Sequence, residues 1–215
     1  MSKQDMSNEQ FREAASASMA GGEHIRDRMR ELTLQALQSR KLDLPAMGEV
    51  LKSLTEGISL GAEQRGQDVR RALSEAFAGM DQAMSKAAQA SSLALKELAS
   101  RGREFSDAEL KQGLERMRQM ESGFLDSVRQ VSQSASGTVK NEWKDLMAHA
   151  QRAGTDTGQV VSQTARDLSA RMGASMSEGA IASVEAARQF GERFAALTSG
   201  ILAGMSEALK EKKDK

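Results

Sequence analysis

The fold class of this chain is decided by residues 107–147, DAELKQGLERMRQMESGFLDSVRQVSQSASGTVKNEWKDLM. At about 100° per residue, the large apolar side chains of this stretch fall within an arc about 120° wide, the pattern of an amphipathic helix. The stripe recurs about every 11 residues, a period that keeps it nearly straight along the helix. We therefore predict an interaction stripe made of Leu110, Leu114, Met117, Phe124, Leu125, Val128, Val131, Val139, Trp143 and Leu146.

The ends of this helix carry start and stop signals. Gly102 has the position of a helix-ending glycine, and Ser106 with Glu109 matches the S-x-x-E capping box, so a helix should start at Asp107. Gly154 is placed to end it, and Thr155 to cap the next one. These signals predict a helix over 107–153.

Similar signals divide the rest of the chain. Ser7 and Gln10 have the spacing of a capping box that opens an N-terminal helical segment, and Pro45 closes it, because the residue before a proline is pushed out of the α region. Proline is tolerated in the first turn of the helix that follows. Gly57, Gly61 and Gly66 each cost up to about 1 kcal/mol relative to alanine and are expected to be weak points of that helix.

Together these boundaries predict an all-α protein without β-sheet, an elongated up-and-down bundle of long amphipathic helices joined by short turns. The N-terminal segment covers 1–44 and is partly flexible, and the bundle covers 45–209 with helices at 45–100, 107–153 and 156–209. A disordered Lys-rich tail covers 210–215.

Composition excludes several classes of protein. Only 3% of the residues are aromatic and one is proline, which argues against a β-sandwich or barrel. The 30 basic and 30 acidic side chains cancel, so the chain lacks the net positive field of a nucleic-acid binder. Without cysteine, it has neither disulfides nor a thiolate nucleophile or metal ligand. The N-terminus has no secretory h-region, and 194–205 is too short and polar to span a bilayer, so we expect no transmembrane insertion.

A catalytic constellation is not visible in the sequence. His24 and His149 have no second histidine at metal-pairing spacing, and no glycine-rich phosphate loop follows a strand. Acidic residues mostly accompany basic ones: Glu115 with Arg118, and Glu185 with Arg188, have the spacing of exposed helix pairs. We therefore predict a protein that is not an enzyme, with no catalytic, cofactor-binding or metal-binding residues.

The chain is rich in methionine, with 13 residues of this type. Methionine is flexible and polarisable, so it suits both irregular cores and adaptable binding faces. Core filling and an exposed binding face are both open interpretations for Met80, Met84, Met117, Met120, Met172 and Met176.

The wide, leucine-poor stripe with mixed charges on the far side suits helices that lie on a hydrophobic surface. In overall pattern, residues 45–210 resemble phasins, the helical coat proteins of bacterial polyhydroxyalkanoate granules, and more distantly exchangeable apolipoproteins. This resemblance implies a non-catalytic, cytoplasmic protein that coats the surface of a hydrophobic granule or lipid-like particle.

A closer resemblance is carried by RGREFSDAELKQ at 101–112 and HAQRAGTDTG at 149–158. These stretches resemble an uncharacterised family of proteobacterial all-helical proteins, which implies an all-helical fold and no assigned activity. Both stretches fall at predicted helix turns, where they would specify caps.

The alternative hypothesis is a soluble helical-bundle or coiled-coil module for protein–protein association or self-assembly, with a protein partner in place of the particle. A narrow seam of leucine and isoleucine would favour it, and the stripe is wider than such a seam. A homo-oligomer is expected under either hypothesis, and nucleic acid is expected under neither.

Overall fold

The computed structural model describes residues 6–41, 43–66, 68–100, 107–172 and 184–211, and every regular element in these ranges is an α-helix. The predicted all-α fold class is confirmed. The helices are α1 (Asn8–Gly21), α2 (Ile25–Ser39), α3 (Leu44–Arg65), α4 (Val69–Ser100), α5 (Asp107–Ser134), α6 (Gly137–Ala153), α7 (Asp156–Met172) and α8 (Val184–Glu211).

Most of the predicted start and stop signals are used. Ser7 and Gln10 form the capping box of α1, each side chain bonded to the other's backbone N–H. Asp43 caps α3 by accepting a 3.0 Å hydrogen bond from the Ala46 N–H, and Pro45 lies in the first turn. Gly154 caps the end of α6, as predicted, and helix α5 is described from Asp107 onward. Gly102 and Ser106 lie outside the described residues.

The chain forms two compact units. Unit 1 comprises 1–84 and 122–156, and unit 2 comprises 85–121 and 157–215. Unit 1 therefore contains α1, α2, α3 and α6 with the first half of α4 and the second half of α5. Unit 2 contains the other halves of α4 and α5 together with α7 and α8.

Helices α1 and α2 of unit 1 form an antiparallel hairpin. Arg40, which follows α2, donates hydrogen bonds to the Met6 carbonyl oxygen at 3.2 Å and to Asn8 Oδ1 at 2.8 Å, so the end of α2 lies beside the start of α1. The turn between the two helices contains Gly22, with φ +78°, and His24, with φ +54°. Both residues adopt the left-handed conformation that reverses the chain direction.

The helix predicted over 45–100 is folded back on itself in the structure. Helix α3 ends at Arg65 and α4 begins at Val69, and Gly66 (φ +66°) and Asp68 (φ +56°) are left-handed in between. From Ser136 through α6, successive contacts with α3 are made by Glu63 and then Ser59, in decreasing residue number. Over the same helix, contacts with α4 are made by Arg70 and then Asp81, in increasing residue number. Helices α3 and α4 are therefore antiparallel.

The helix predicted over 107–153 differs from the structure in the same way. Helix α5 ends at Ser134, α6 begins at Gly137, and Gly137 has a φ of +53°. Ser127 of α5 bonds to the Gly48 carbonyl oxygen near the start of α3, and Ser136 bonds to Glu63 near its end. Helix α5 therefore runs parallel to α3, and α6 runs back along it.

All three turns lie at one end of unit 1. Arg65, the last residue of α3, donates a 3.0 Å hydrogen bond to the Met19 carbonyl oxygen, and its guanidinium lies against Gly22. Ser136 Oγ lies 2.9 Å from Glu63 Oε1, two residues before the end of α3. Unit 1 is thus a bundle of three hairpins, α1/α2, α3/α4 and α5/α6, with their tips side by side.

In unit 2, three of the four helices meet at Gly113 of α5. A Cβ at this position would collide with Leu95 of α4 and would lie 3.3 Å from the ring of Phe190 on α8. Helix α7 is tied to α4 by the Lys96–Asp167 ion pair at 2.8 Å.

The last predicted helix, 156–209, corresponds to α7 and α8, and residues 173–183 between them lie outside the described residues. Helix α8 continues to Glu211, two residues into the predicted tail, and residues 212–215 also lie outside the described residues.

Candidate functional site

The predicted interaction stripe is mostly buried within the chain. Leu125 and Leu146, at its margins, are half-buried. The other eight members are each at most 6% exposed: Leu110, Leu114, Met117, Phe124, Val128, Val131, Val139 and Trp143. The stripe is therefore the face by which α5 and α6 pack on the rest of the protein.

Two contacts in unit 1 show what covers the stripe there. The rings of Phe124 and Phe77 are stacked with centroids 5.5 Å apart, which joins α5 to α4. Trp143 is fully buried, and its Nε1–H donates a 3.0 Å hydrogen bond to Ser59 Oγ of α3. Because a buried indole N–H needs an acceptor, this bond fixes the register of α6 against α3.

The methionines follow the core-filling interpretation where the structure describes them. Met80, Met84, Met117 and Met120 are each at most 5% exposed. The side chains of Met172 and Met176 lie outside the described residues. An exposed methionine face is not present in the described residues.

The described surface carries few large apolar side chains. Leu60 of α3 and Leu93 of α4 are the exposed ones, at 44% and 49%. Each stands singly within its own unit, which is normal for a protein surface. Among the described residues, the longest apolar stretches of helix fall short of what crossing a membrane requires.

Glycines that the sequence indicated as weak points are contact points in the structure. A Cβ on Gly57 would lie 2.9 Å from the Ala15 Cβ and overlap the Arg12 carbonyl oxygen, and one on Gly61 would lie 2.5 Å from the Ser16 carbonyl oxygen. The backbones of α1 and α3 therefore touch. The spacing of Gly57 and Gly61, four residues apart on one helix face, is the sequence signal that could have predicted this contact.

Asp81 is a second residue that the sequence reading missed. It lies on α4 among buried apolar residues and is 6% exposed. Its Oδ2 accepts a 2.7 Å hydrogen bond from the Asp156 N–H, the first N–H of α7. A carboxylate at a helix N-terminus satisfies an otherwise unpaired donor and complements the helix dipole. Asp81 therefore anchors the turn between α6 and α7 to α4.

Groups suited to catalysis are not brought together in the described part of the chain. His24 and His149 are exposed, and the described residues hold no cluster of three or more side chains that could bind a metal ion. The predicted Glu115–Arg118 pair is present at 3.5 Å on an exposed face, where such pairs contribute little. The side chains of Glu185 and Arg188 lie outside the described residues.

Comparison with protein families gives one result. A model of a family of unknown function, DUF6781, matches residues 1–211 of this chain. Neither the curated proteins nor the solved structures contain a match. The expected resemblance to an uncharacterised family is therefore confirmed, and the chain belongs to the family of unknown function DUF6781.

Proposed function

We propose that this protein is a non-catalytic, amphipathic-helix protein that covers the surface of a hydrophobic particle in the cytoplasm, in the manner of a phasin. The observation that carries the proposal is the stripe itself. On a continuous helix it would be nearly straight, and it is wider and poorer in leucine than a zipper seam, so it matches a flat surface better than a supercoiled seam. Charges of both signs occupy the opposite faces of the same helices, where they would keep the covered particle soluble.

The burial of the stripe adds a condition to this proposal. With Leu60 and Leu93 as the exposed large apolar side chains of the described surface, the closed chain offers little area to a particle. Covering a particle therefore requires the bundle to open. Many buried positions are alanine, including Ala76, Ala83 and Ala87. When the bundle opens, each of these residues therefore exposes less apolar area than a leucine would.

A second candidate function is a closed helical bundle that associates with a protein partner or with itself. The burial of the stripe within a single chain favours this candidate, because the bundle then needs no particle to cover its apolar face. In this case the exposed polar faces of the helices would carry the interaction.

Flotation tests the first candidate. The purified full-length chain is mixed with triglyceride-in-water emulsion droplets and centrifuged, and the fraction that rises with the droplets is measured. Surface coating predicts that this fraction increases with droplet area and saturates. In cells that store polyester granules, a fluorescent fusion should outline the granules. Diffuse fluorescence and no flotation would reject coating, and a fixed oligomer in sedimentation would then support the second candidate.

A pair of variants makes the test specific for the stripe. Leu125→Gln and Leu146→Gln change half-buried positions at its margins, so the closed bundle should tolerate them. Complete burial of an exposed leucine contributes about 1.5–3 kcal/mol, and because these two are already half-buried a droplet adds only part of it, so each change should lower droplet affinity by roughly a few-fold. The control is Gln130→Ala, an exposed position of α5 outside the stripe, which should leave droplet affinity unchanged.

A further inference from the structure

The apolar stripe of α5 continues in phase into α6, although the chain reverses direction between them. Val131, Ala135, Val139 and Trp143 follow one another at four-residue steps across the turn at 135–136. In a continuous helix these positions would share one face. A hairpin does not require this phase, because its two helices face the core from opposite directions.

The α3/α4 hairpin has the same property. Ile58 and Ala62 of α3 and Leu73 and Phe77 of α4 are buried, and the 11 residues from Ala62 to Leu73 would make about three full turns of an α-helix. In both hairpins, the buried residues therefore lie where a single uninterrupted helix would also place them together.

The turns themselves are compatible with straightening. Gly66 and Gly137 hold the left-handed conformation that reverses the chain, and glycine can also adopt helical angles. Asp68 is a non-glycine residue in the left-handed region, an unfavourable conformation that straightening would relieve. The single proline of the chain, Pro45, lies in the first turn of α3 at the other end of that helix, so no described turn residue prevents a continuous helix.

We propose that the α3/α4 and α5/α6 hairpins of unit 1 straighten at these turns to form continuous amphipathic helices, and that the straight form is the one that lies on a hydrophobic particle. This inference rests on the proposed coating function and adds its mechanism. In the closed form, each stripe is buried against the other hairpins. In the straight form, residues 107–153 present one stripe about 70 Å long at 1.5 Å per residue.

A particle surface fits this form better than a second copy of the chain. Two straightened copies could pair by exchanging helices, but such pairing favours narrow seams that supercoil. The wide stripe, with its period near 11 residues, stays on one side of a straight helix and matches an extended surface.

Two substitutions at the α5/α6 turn shift the equilibrium in opposite directions. Gly137→Ala disfavours the left-handed turn and favours a helix, which should raise the ratio of straight to folded chains about 30-fold. Thr138→Pro should lower it about 100-fold, because an interior proline breaks a continuous helix. Thr138 is exposed and is the second residue of α6, the position that Pro45 holds in α3, so the hairpin should accept it. Gly123→Ala, at a helical glycine of α5 with open space around its Cα, is the control.

Droplet affinity and a distance are measured on the full-length chain. When the straight form is rare, apparent affinity is proportional to its population. Emulsion binding should therefore rise by up to about 30-fold in Gly137→Ala, fall by up to about 100-fold in Thr138→Pro and stay near the wild-type value in Gly123→Ala. Spin labels on cysteines at the exposed Asp126 and Asp145, in a chain without native cysteine, should separate to about 29 Å between Cα atoms on droplets.

The outcomes separate this inference from the coating function. If the wild type floats with droplets while the labels stay as close as in solution, and Thr138→Pro floats equally well, coating stands and straightening is overturned. If neither the wild type nor Gly137→Ala binds droplets, the coating function is rejected, and so is a hydrophobic particle as the partner of the straight form. A Gly137→Ala chain that doubles its mass without binding droplets would identify a second copy as the occupant and overturn the proposal.

Discussion

Replacing Gly57 by alanine tests whether the backbone contact between α1 and α3 holds unit 1 together. A Cβ at this position would lie 2.9 Å from the Ala15 Cβ, whereas carbon atoms in contact are about 3.5–4.0 Å apart. It would also overlap the Arg12 carbonyl oxygen, which belongs to a helix backbone and cannot rotate away. Helix α1 would therefore have to move outward by roughly 1 Å.

The expected cost follows from two opposing effects. Overpacking of a tight core costs about 1–3 kcal/mol, and alanine in a helix regains up to about 1 kcal/mol over glycine. Because the obstacle is backbone, we expect Gly57→Ala to lower the free energy of unfolding by about 2 kcal/mol. Gly48→Ala is the matched control: Gly48 lies in the same helix with nothing within 4 Å of its Cβ position, so this change should raise the free energy by up to about 1 kcal/mol.

The assay is urea unfolding followed by tryptophan fluorescence. Trp143 is the single tryptophan of the chain, the chain has no tyrosine, and Trp143 is fully buried in unit 1, so its emission reports the unfolding of that unit. If Gly57→Ala and Gly48→Ala stabilise the unit equally, the close contact between α1 and α3 is refuted. If both destabilise it, helix propensity is the wrong basis for the control.

Two further substitutions test the stripe and the anchored turn. Val128→Asp places a charge at a fully buried stripe position and should lower the free energy of unfolding, measured by urea titration, by several kcal/mol. The control Gln130→Asp, on the exposed face of the same helix, should change this free energy little, and equal effects would contradict the assignment of the two faces. Asp81→Ala removes the acceptor for the first N–H of α7 and should lower the free energy of unfolding by about 1–2 kcal/mol, measured by thermal melting followed by circular dichroism. The control Asp145→Ala, at an exposed position, should lower it by almost nothing, and no loss in Asp81→Ala would show that water replaces the carboxylate.

The sequence predicted the helical class, the amphipathic stripe and some of the helix ends, because each of these depends on local pattern. The Ser7 capping box and the cap at Gly154 require only nearby residues. The stripe followed from periodicity, which stays visible whether a helix is straight or folded back. What periodicity could not predict is chain reversal, since Gly66 and Gly137 look the same in sequence as a glycine inside a helix.

Partners that lie far apart in the sequence could not be predicted from local pattern either. The acceptor for the Trp143 N–H is Ser59, 84 residues earlier, and the acceptor for the Asp156 N–H is Asp81, 75 residues earlier. Neither partner has a local pattern that names it. Such pairs are set by how the hairpins pack, and only the fold brings them together.

The glycines of unit 1 serve two opposite purposes, and this contrast bears on function. Gly57 and Gly61 hold helix backbones in contact, and any larger side chain there would separate them. Gly66 and Gly137 lie in turns with open space around them and supply only the backbone angles that reverse the chain. Close backbone contacts order the folded state. The glycine turns need only a change of backbone angles to become straight. If the protein acts only as a closed module, alanine at Gly137 should reduce stability and change nothing else. If it coats particles by straightening, the same change should reduce stability and increase binding together, so these two measurements on one variant distinguish coating by straightening from a closed module.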